Sequence, residues 1–210
     1  MQPPPPNAPN REEGKVTPSP LGKAFASWPG FSEYGIIDTI PQDVQAISAI
    51  FVADWNHSTA QFDDPNLVVS PINARNDFIT LINSAHNTLL VEAEEMNDGD
   101  IEQAFVKAAQ RGVQIEVILP TANASSGDSN SQGIATILQR GVQVREDPQL
   151  YMHAKIIVVD SRVAFVGSEN ISTQSLDQNR ELGIIVSDPS VLKKLQATFQ
   201  SDWGVSQNVS

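Results

Sequence analysis

The sequence of 210 residues contains no cysteine and only three histidines. The absence of cysteine excludes disulfides, zinc–thiolate sites and cysteine nucleophiles. The histidines, His57, His86 and His153, are too few and too widely spaced for a histidine-rich metal centre. We therefore expect chemistry that uses no metal ion and no other cofactor, and we interpret His57 and His86 as surface or helix-end residues.

Positive charge is also scarce. The 25 Asp and Glu residues outnumber the 13 Lys and Arg residues and give a net charge of -12. Proteins that bind nucleic acids usually carry a basic surface, so this balance disfavours DNA or RNA as a partner. An anionic membrane would repel the average charge in the same way, so a lipid would have to reach a local site.

Long apolar runs are absent as well. No segment approaches the roughly 18 residues of a membrane-spanning helix, and the N-terminus lacks the basic-then-apolar order of a secretory signal. We expect a soluble chain, and no cellular compartment is indicated. Prolines concentrate in residues 1–30, which begin Met-Gln-Pro-Pro-Pro-Pro, and this composition favours a disordered leader.

After the leader, helical and strand patterns alternate. Residues 73–85 and 100–111 have the apolar spacing of helices, whereas residues 88–93 and 113–119 are short apolar runs typical of strands. Gly112 stands where a glycine commonly ends a helix. A further short helix and a strand at 142–145 follow. This order predicts an α/β fold with a mixed, mostly parallel sheet and helices on both faces.

The densest group of phosphate-binding residue types lies between positions 153 and 170. Its members are His153, Lys155, Asp160, Gly167, Ser168 and Asn170. Residues two apart on a strand face the same side about 7 Å apart, so the imidazole and the ammonium could share one phosphate. An imidazole can attack phosphorus or transfer a proton, and an ammonium with small polar donors stabilises phosphate oxygens. The group predicts an anion-binding site with a nucleophile.

Two plainer interpretations remain open for single members of this group. A lone histidine on an apolar strand is more often a hydrogen-bonded structural residue. Asp160 could equally be an ordinary residue of a hairpin turn between two buried strands.

The pattern His-x-Lys-x(4)-Asp followed by Gly-Ser-x-Asn resembles the signature of the phospholipase D superfamily of phosphodiesterases. The resemblance extends over the alternating elements that precede the motif. It implies two-step hydrolysis or exchange of a phosphodiester, with a phospholipid as the expected substrate. One histidine forms a phosphohistidine, and a second histidine from a paired motif protonates the leaving alcohol.

An internal repeat is the second informative feature. Residues 33–55 match residues 181–203 without a gap, at a constant offset of 148 residues that relates Glu33 to Glu181 and Trp55 to Trp203. Many members of the superfamily consist of two similar halves. We therefore predict that residues 31–66 are the end of a first half and that residues 67–205 are a phospholipase D-like domain. Because the first half lacks its own His-x-Lys motif, we expect a truncated two-half protein or a fragment with a new start.

The resemblance also assigns two carboxylates. In the superfamily, a carboxylate about 28 residues past one motif holds the imidazole of the other half, and Glu181 lies at that distance from His153. Its counterpart Glu33 would then orient His153. Either residue could instead be an ordinary strand-edge carboxylate, and Arg180 could be an ion-pair partner of Glu181.

A reaction that needs two histidines implies a partner for this chain. The partner would be a second copy, giving a homodimer, or a separate first-half chain. The catalytic residues implied by the resemblance are His153, Lys155, Asp160, Ser168, Asn170, Glu181 and Glu33. Two alternatives stay open: an endonuclease of the same fold, and an inactive half that acts as a binding module until it is complemented.

Overall fold

The structure is a computed structural model that describes residues 17–18, 23–27, 31–121, 129–148 and 151–209. The helices in these ranges are α1 (Pro41–Trp55), α2 (Ala74–Asn83), α3 (Gly99–Gln110), α4 (Ser131–Leu138), α5 (Thr173–Asp177) and α6 (Pro189–Val205). The strands are β1 (Thr17–Pro18), β2 (Lys23–Ser27), β3 (Phe31–Ser32), β4 (Tyr34–Asp38), β5 (Leu67–Ser70), β6 (Thr88–Ala93), β7 (Met96–Asn97), β8 (Gln114–Pro120), β9 (Gln143–Asp147), β10 (Tyr151–Met152), β11 (Lys155–Val159), β12 (Val163–Gly167), β13 (Ile171–Ser172), β14 (Glu181–Val186) and β15 (Gln207–Asn208).

The predicted leader, residues 1–30, lies mostly outside the described residues. Its two described segments, Thr17–Pro18 and Lys23–Ser27, are the strands β1 and β2. They form a three-stranded antiparallel sheet with β4, in the order β1-β2-β4.

An eight-stranded mixed sheet forms the centre of the described part of the chain, in the order β15-β9-β8-β6-β11-β12-β14-β5. The predicted mixed α/β fold is confirmed, and five of the eight strands point in the same direction. Only β6-β8-β9 pair in parallel, however, whereas the other neighbouring strands pair antiparallel. Connection length explains one of the antiparallel pairs: β11 and β12 are joined by a short turn, which permits only antiparallel pairing, whereas the parallel strands β6, β8 and β9 are joined through the helices α3 and α4.

Helices cover both faces of this sheet, as predicted. On one face, α2, α3, α4 and α5 pack against the sheet through a core that includes Ile157 and Val159. On the other face, α1 and α6 pack against a core that includes Ile156 and Val158. Because side chains alternate along a strand, β11 is buried on both faces, and this explains its unbroken apolar run.

Local sequence signals set the ends of several helices. The Asp98 carboxylate accepts a hydrogen bond from the Ile101 N–H at the start of α3, and Gly112 follows the end of α3 with a φ of 90°. Asp188 caps α6, which begins at Pro189. None of the helices in the described ranges has the length and apolar character needed to cross a membrane.

Candidate active site

A cleft of about 510 Å³ opens at one end of the central strands of the large sheet. Six of the seven residues predicted for the site line it: His153, Lys155, Ser168, Asn170, Glu181 and Glu33. Tyr34, Glu94 and Gly167 also line it. Strands β6 and β12 finish at this end of the sheet, whereas the antiparallel strands β11 and β14 begin there. This pairing brings residues from distant parts of the sequence together.

His153 follows β10 directly, is separated from β11 by Ala154, and is held by residues 32–33. Its backbone N–H donates to the Ser32 carbonyl oxygen at 3.1 Å, and its Nδ1 lies 2.9 Å from Oε1 of Glu33. The side chain is 41% exposed, and its ring stacks on Tyr151. Since the Glu33 carboxylate accepts from Nδ1–H, Nε2 is the nitrogen that remains for chemistry in the cleft.

Lys155 is the first residue of β11, and its side chain is only 6% exposed. Its Nζ donates to Oε2 of Glu94 at 2.6 Å and to the carbonyl oxygen of His153 at 2.9 Å. The same Glu94 oxygen lies 3.4 Å from Nε2 of His153. A buried ammonium needs a counter-ion, and Glu94 supplies it.

Glu94 is a site residue that the sequence did not reveal. It follows β6, and the register of β6 with β11 places Ala93 opposite Lys155. The strand pairing would have identified Glu94 as the neighbour of Lys155. No spacing within the sequence carries that information, because the two residues are 61 positions apart.

Gly167 and Asn170 shape the wall of the cleft after β12. Gly167 pairs with Gly183, and a Cβ at either position would collide with the ring of Phe165. The Asn170 backbone N–H donates to Oγ of Ser175 at 2.8 Å. Its side-chain Oδ1 is buried with no hydrogen-bond partner among the described residues, although the residue borders the cleft.

Glu181 begins β14 on the far side of the cleft. Its Oε1 accepts from Oγ of Ser175 at 2.7 Å and from Nδ2 of Asn179 at 3.1 Å. Arg180 does not pair with it; that guanidinium bonds instead to Asp54 and to the Ser70 carbonyl oxygen. Glu181 is thus held in position by neutral donors.

A further carboxyl group, Glu169, lies buried behind the cleft. Burial, together with the nearby charge of Glu181, raises the pKa of Glu169 to about 8. At neutral pH this side chain is therefore mainly the uncharged acid, and it adds little negative charge to the site.

The structure does not bring Asp160 into the cleft. Asp160 lies at the opposite end of β11, where positive φ values at Asp160 and Ser161 give the hairpin a type I′ turn. Its carboxylate accepts from the backbone N–H groups of His86, Asn87 and Thr88 at 3.0, 2.8 and 2.8 Å. Burial acts to raise the pKa of Asp160, but these three hydrogen bonds and Arg162 bring it below its usual value. Asp160 fixes the hairpin against the start of β6.

The other two histidines lie outside the cleft. His57 and His86 are both exposed, as predicted, and neither lines it. Within the described ranges, no group of three or more His, Asp or Glu side chains is arranged to hold a metal ion.

Known proteins with similar sequences and structures identify the family of this chain. The family described as "Cardiolipin synthase, PLD-like domain" matches residues 78–203, which is more than half of the chain and includes His153 and Lys155. The chain belongs to this PLD-like domain family. Its sequence is 37% identical over 111 residues to Phospholipase D Z of Dictyostelium discoideum, covering 50% of this chain and 26% of that protein.

A longer match joins this PLD-like chain to the major cardiolipin synthase of Bacillus subtilis. The two are 27% identical over 190 residues, which cover 78% of this chain and 39% of the synthase. The chain thus spans well under half the length of these two relatives. Among solved structures, Nuc from Salmonella typhimurium, a phospholipase D family member, superposes with a TM-score of 0.64 at 23% identity, covering 68% of this chain and 95% of Nuc.

Proposed function

We propose that the protein is a phosphodiesterase of phospholipase D type that hydrolyses or transfers a phosphodiester of a phospholipid. The contact between Glu33 and Nδ1 of His153 at 2.9 Å is the observation that carries this proposal. It leaves Nε2 beside the Lys155 ammonium in an open cleft, which is the arrangement that a nucleophile for phosphorus requires.

The proposed reaction has two steps, formation and breakage of a P–N bond. Nε2 of His153 attacks phosphorus, the P–N bond forms, and the bond between phosphorus and the leaving oxygen breaks as that oxygen takes up a proton. Water or another alcohol then gives up a proton, attacks phosphorus and breaks the P–N bond, which restores the imidazole. Lys155, Ser168 and Asn170 stabilise charge on the phosphate oxygens, and Glu33 stabilises the positive ring.

A second acid–base group is needed for the leaving alcohol. His153 is the only histidine that lines the cleft within the described ranges. We infer that a second polypeptide supplies the missing histidine, and that Glu181 orients it as Glu33 orients His153. The candidates are a second copy of this chain and a separate first-half chain.

The phospholipid substrate is supported by the relatives, whose names are phospholipase D and cardiolipin synthase. The charge of the cleft agrees with this choice. Three carboxylates, Glu33, Glu94 and Glu181, line it beside a single lysine, so a long polyanion would be repelled.

The proposal predicts that His153→Asn abolishes turnover, with a loss of at least about 10³-fold, because asparagine cannot form the P–N bond. Turnover is to be measured side by side on phosphatidylcholine, bis(4-nitrophenyl) phosphate and single-stranded DNA. The matched control is His86→Asn, the same change at an exposed histidine outside the cleft, which should keep the wild-type rate. A His153→Asn protein with the wild-type rate contradicts the site, and cleavage of DNA in preference to lipid contradicts the substrate.

A further inference from the structure

A second opening adjoins the cleft. A groove of about 190 Å³ lies between β4 and α1 on one side and the strands β12, β14 and β5 on the other, and it is here called the β4 groove. Tyr34 and Gly167 line both the groove and the cleft, so these two residues mark the place where the two spaces meet. Six residues with aliphatic side chains line the groove: Ile36, Ile47, Leu67, Val166, Leu182 and Ile184.

Strand β4 gives the groove its direction. Tyr34, Ile36 and Asp38 alternate along β4 and all line the groove. Residues two apart on a strand project from the same face at intervals of about 7 Å, so the groove follows β4 for roughly 13 Å. It begins at Tyr34, where the pair Gly167 and Gly183 lies at the cleft end of β12 and β14. The groove is therefore elongated and leads away from the candidate active site.

The lining of the β4 groove suits an apolar group. None of the described residues that line it is Lys, Arg or His, and its one carboxylate, Asp38, lies four residues along β4 from Tyr34. The Tyr34 hydroxyl donates to Oε2 of Glu92 on the large sheet. A hydrocarbon chain in the groove would be removed from water, which stabilises its binding, whereas a second phosphate would find no cation there.

The size and depth of the groove fit a short length of such a chain. A methylene group takes up about as much space as a water molecule, roughly 30 Å³, so the groove holds about six of them. Leu67, Val166 and Ile184 are buried, whereas Leu182 is 36% exposed and forms the rim. Because the rim is open, the remainder of a longer chain can continue outward.

We propose that the β4 groove binds the first methylenes of one acyl chain of the phospholipid whose phosphate occupies the cleft. The phosphate lies beside His153 and Lys155, and the chain passes between Tyr34 and Gly167 into the groove. This inference rests on the proposed function and deepens it, because it names the surface that selects a lipid over other phosphodiesters. A phosphodiester without a hydrocarbon chain would leave the groove unfilled.

The test compares two short-chain lipids, dibutanoyl- and dihexanoyl-phosphatidylcholine, each below the concentration at which it forms micelles. The full chain carries His153→Asn, so that no turnover disturbs the measurement of binding. Burial of one methylene raises affinity about fourfold, and the longer lipid places two more methylenes in the groove. We therefore expect dihexanoyl-phosphatidylcholine to bind about tenfold more tightly by calorimetry, and saturating inorganic phosphate to displace it.

The variant Leu182→Trp fills the rim of the groove and should reduce the tenfold gain to less than threefold. The matched control is Leu138→Trp, the same change at a leucine of α4 that is 40% exposed and lines neither the groove nor the cleft. This control should keep the tenfold gain. Thermal unfolding checks that the variants are folded. Leu182→Ser, which removes the apolar rim without adding bulk, is a second variant and should also reduce the gain.

Three results would overturn the inference: equal affinities for the two lipids, a tenfold gain that the Leu182 variants retain, and lipid binding that saturating phosphate does not displace. Binding and turnover are separate measurements. The expected binding without turnover by the wild-type chain supports the groove and contradicts the proposed enzyme. Turnover of bis(4-nitrophenyl) phosphate, together with lipid binding that does not depend on chain length, supports the enzyme and contradicts the groove.

Discussion

At the scale of single residues, two carboxylates contact the imidazole and the ammonium of the site. Glu33 contacts Nδ1 of His153, whereas Glu94 contacts Nε2 and also holds Nζ of Lys155. A phosphate that binds Lys155 and approaches Nε2 would need the space in which the Glu94 oxygen now lies. We therefore expect Glu94 to compete with a bound phosphate for the same positive charge.

This competition predicts the effect of Glu94→Gln. The neutral amide releases Lys155, so inorganic phosphate should bind about tenfold more tightly, as measured by calorimetry at pH 7. The Michaelis constant for a phosphodiester should fall by a similar factor. Glu95→Gln is the matched control, because it makes the same charge change at the next residue, which does not line the cleft. Unchanged or weaker phosphate binding in Glu94→Gln would show that Glu94 does not compete.

Much of the site could be predicted from residue types and spacing. The signature named His153, Lys155, Ser168 and Asn170, and the family resemblance, together with the repeat, assigned Glu181 and Glu33; the structure brings all of these to one cleft. Glu94 could not be predicted, because its place depends on the pairing of β6 with β11. The position of Asp160 was open between the site and the turn, and in the structure its carboxylate accepts hydrogen bonds from the backbone of residues 86–88.

At the scale of elements, the β11–β12 hairpin determines whether His153 and Lys155 lie at the end of the sheet where the cleft opens. Asp160 ties the turn of this hairpin to the start of β6, and β6 carries Glu94 at its other end. A shift of one residue in this pairing would reverse which side chains face the helices. The turn and the cleft are therefore linked through the register of two central strands.

Asp160→Ala should destabilise the protein without altering the cleft. The change leaves three backbone N–H groups without their acceptor, and we expect the free energy of unfolding to fall by roughly 2–4 kcal/mol. Urea unfolding measures the loss. Turnover per folded molecule should stay near that of the wild type. A loss of turnover that exceeds the loss of folded protein would instead support a catalytic role for Asp160.

The order of helices and strands was largely predictable, because apolar spacing and capping residues are local signals. The predicted helices at 73–85 and 100–111 are observed as Ala74–Asn83 and Gly99–Gln110. Strand direction was less predictable. The alternation of elements favoured parallel pairing, but the short turn between β11 and β12 makes that pair antiparallel. The other antiparallel pairs join strands that are distant in the chain or separated by a helix, and no local pattern indicates which strands become adjacent.

At the scale of the whole molecule, buried carboxyl groups couple stability to pH. Glu92 is fully buried on β6, where its Oε2 accepts hydrogen bonds from the hydroxyl groups of Ser32 and Tyr34. Burial, with the nearby charge of Asp202, raises the pKa of Glu92 to about 8, and burial likewise raises that of Glu169 to about 8. Both groups bind a proton more tightly in the folded protein than in the unfolded chain.

A raised folded-state pKa stabilises the protein fully below the unfolded value near 4.5, and this stabilisation is lost as the pH rises through about 8. Between pH 5 and 8, we expect each group to lower the free energy of unfolding by up to about 1 kcal/mol per pH unit. Glu92→Gln should remove about half of this slope in urea unfolding measured at several pH values. A slope that the substitution leaves unchanged would assign the pH dependence to other groups.

The contacts of residues 32–34 have a consequence for how the proposed activity could be lost. Ser32 bonds the backbone of His153, Glu33 bonds its ring, and Ser32 and Tyr34 both bond Glu92. Residues 32–34 thus contact both His153 and Glu92 of the central strand β6. Detachment of residues 32–34 would free the His153 ring and break none of the described strand pairs of the eight-stranded sheet, so the proposed activity could be lost without unfolding of that sheet.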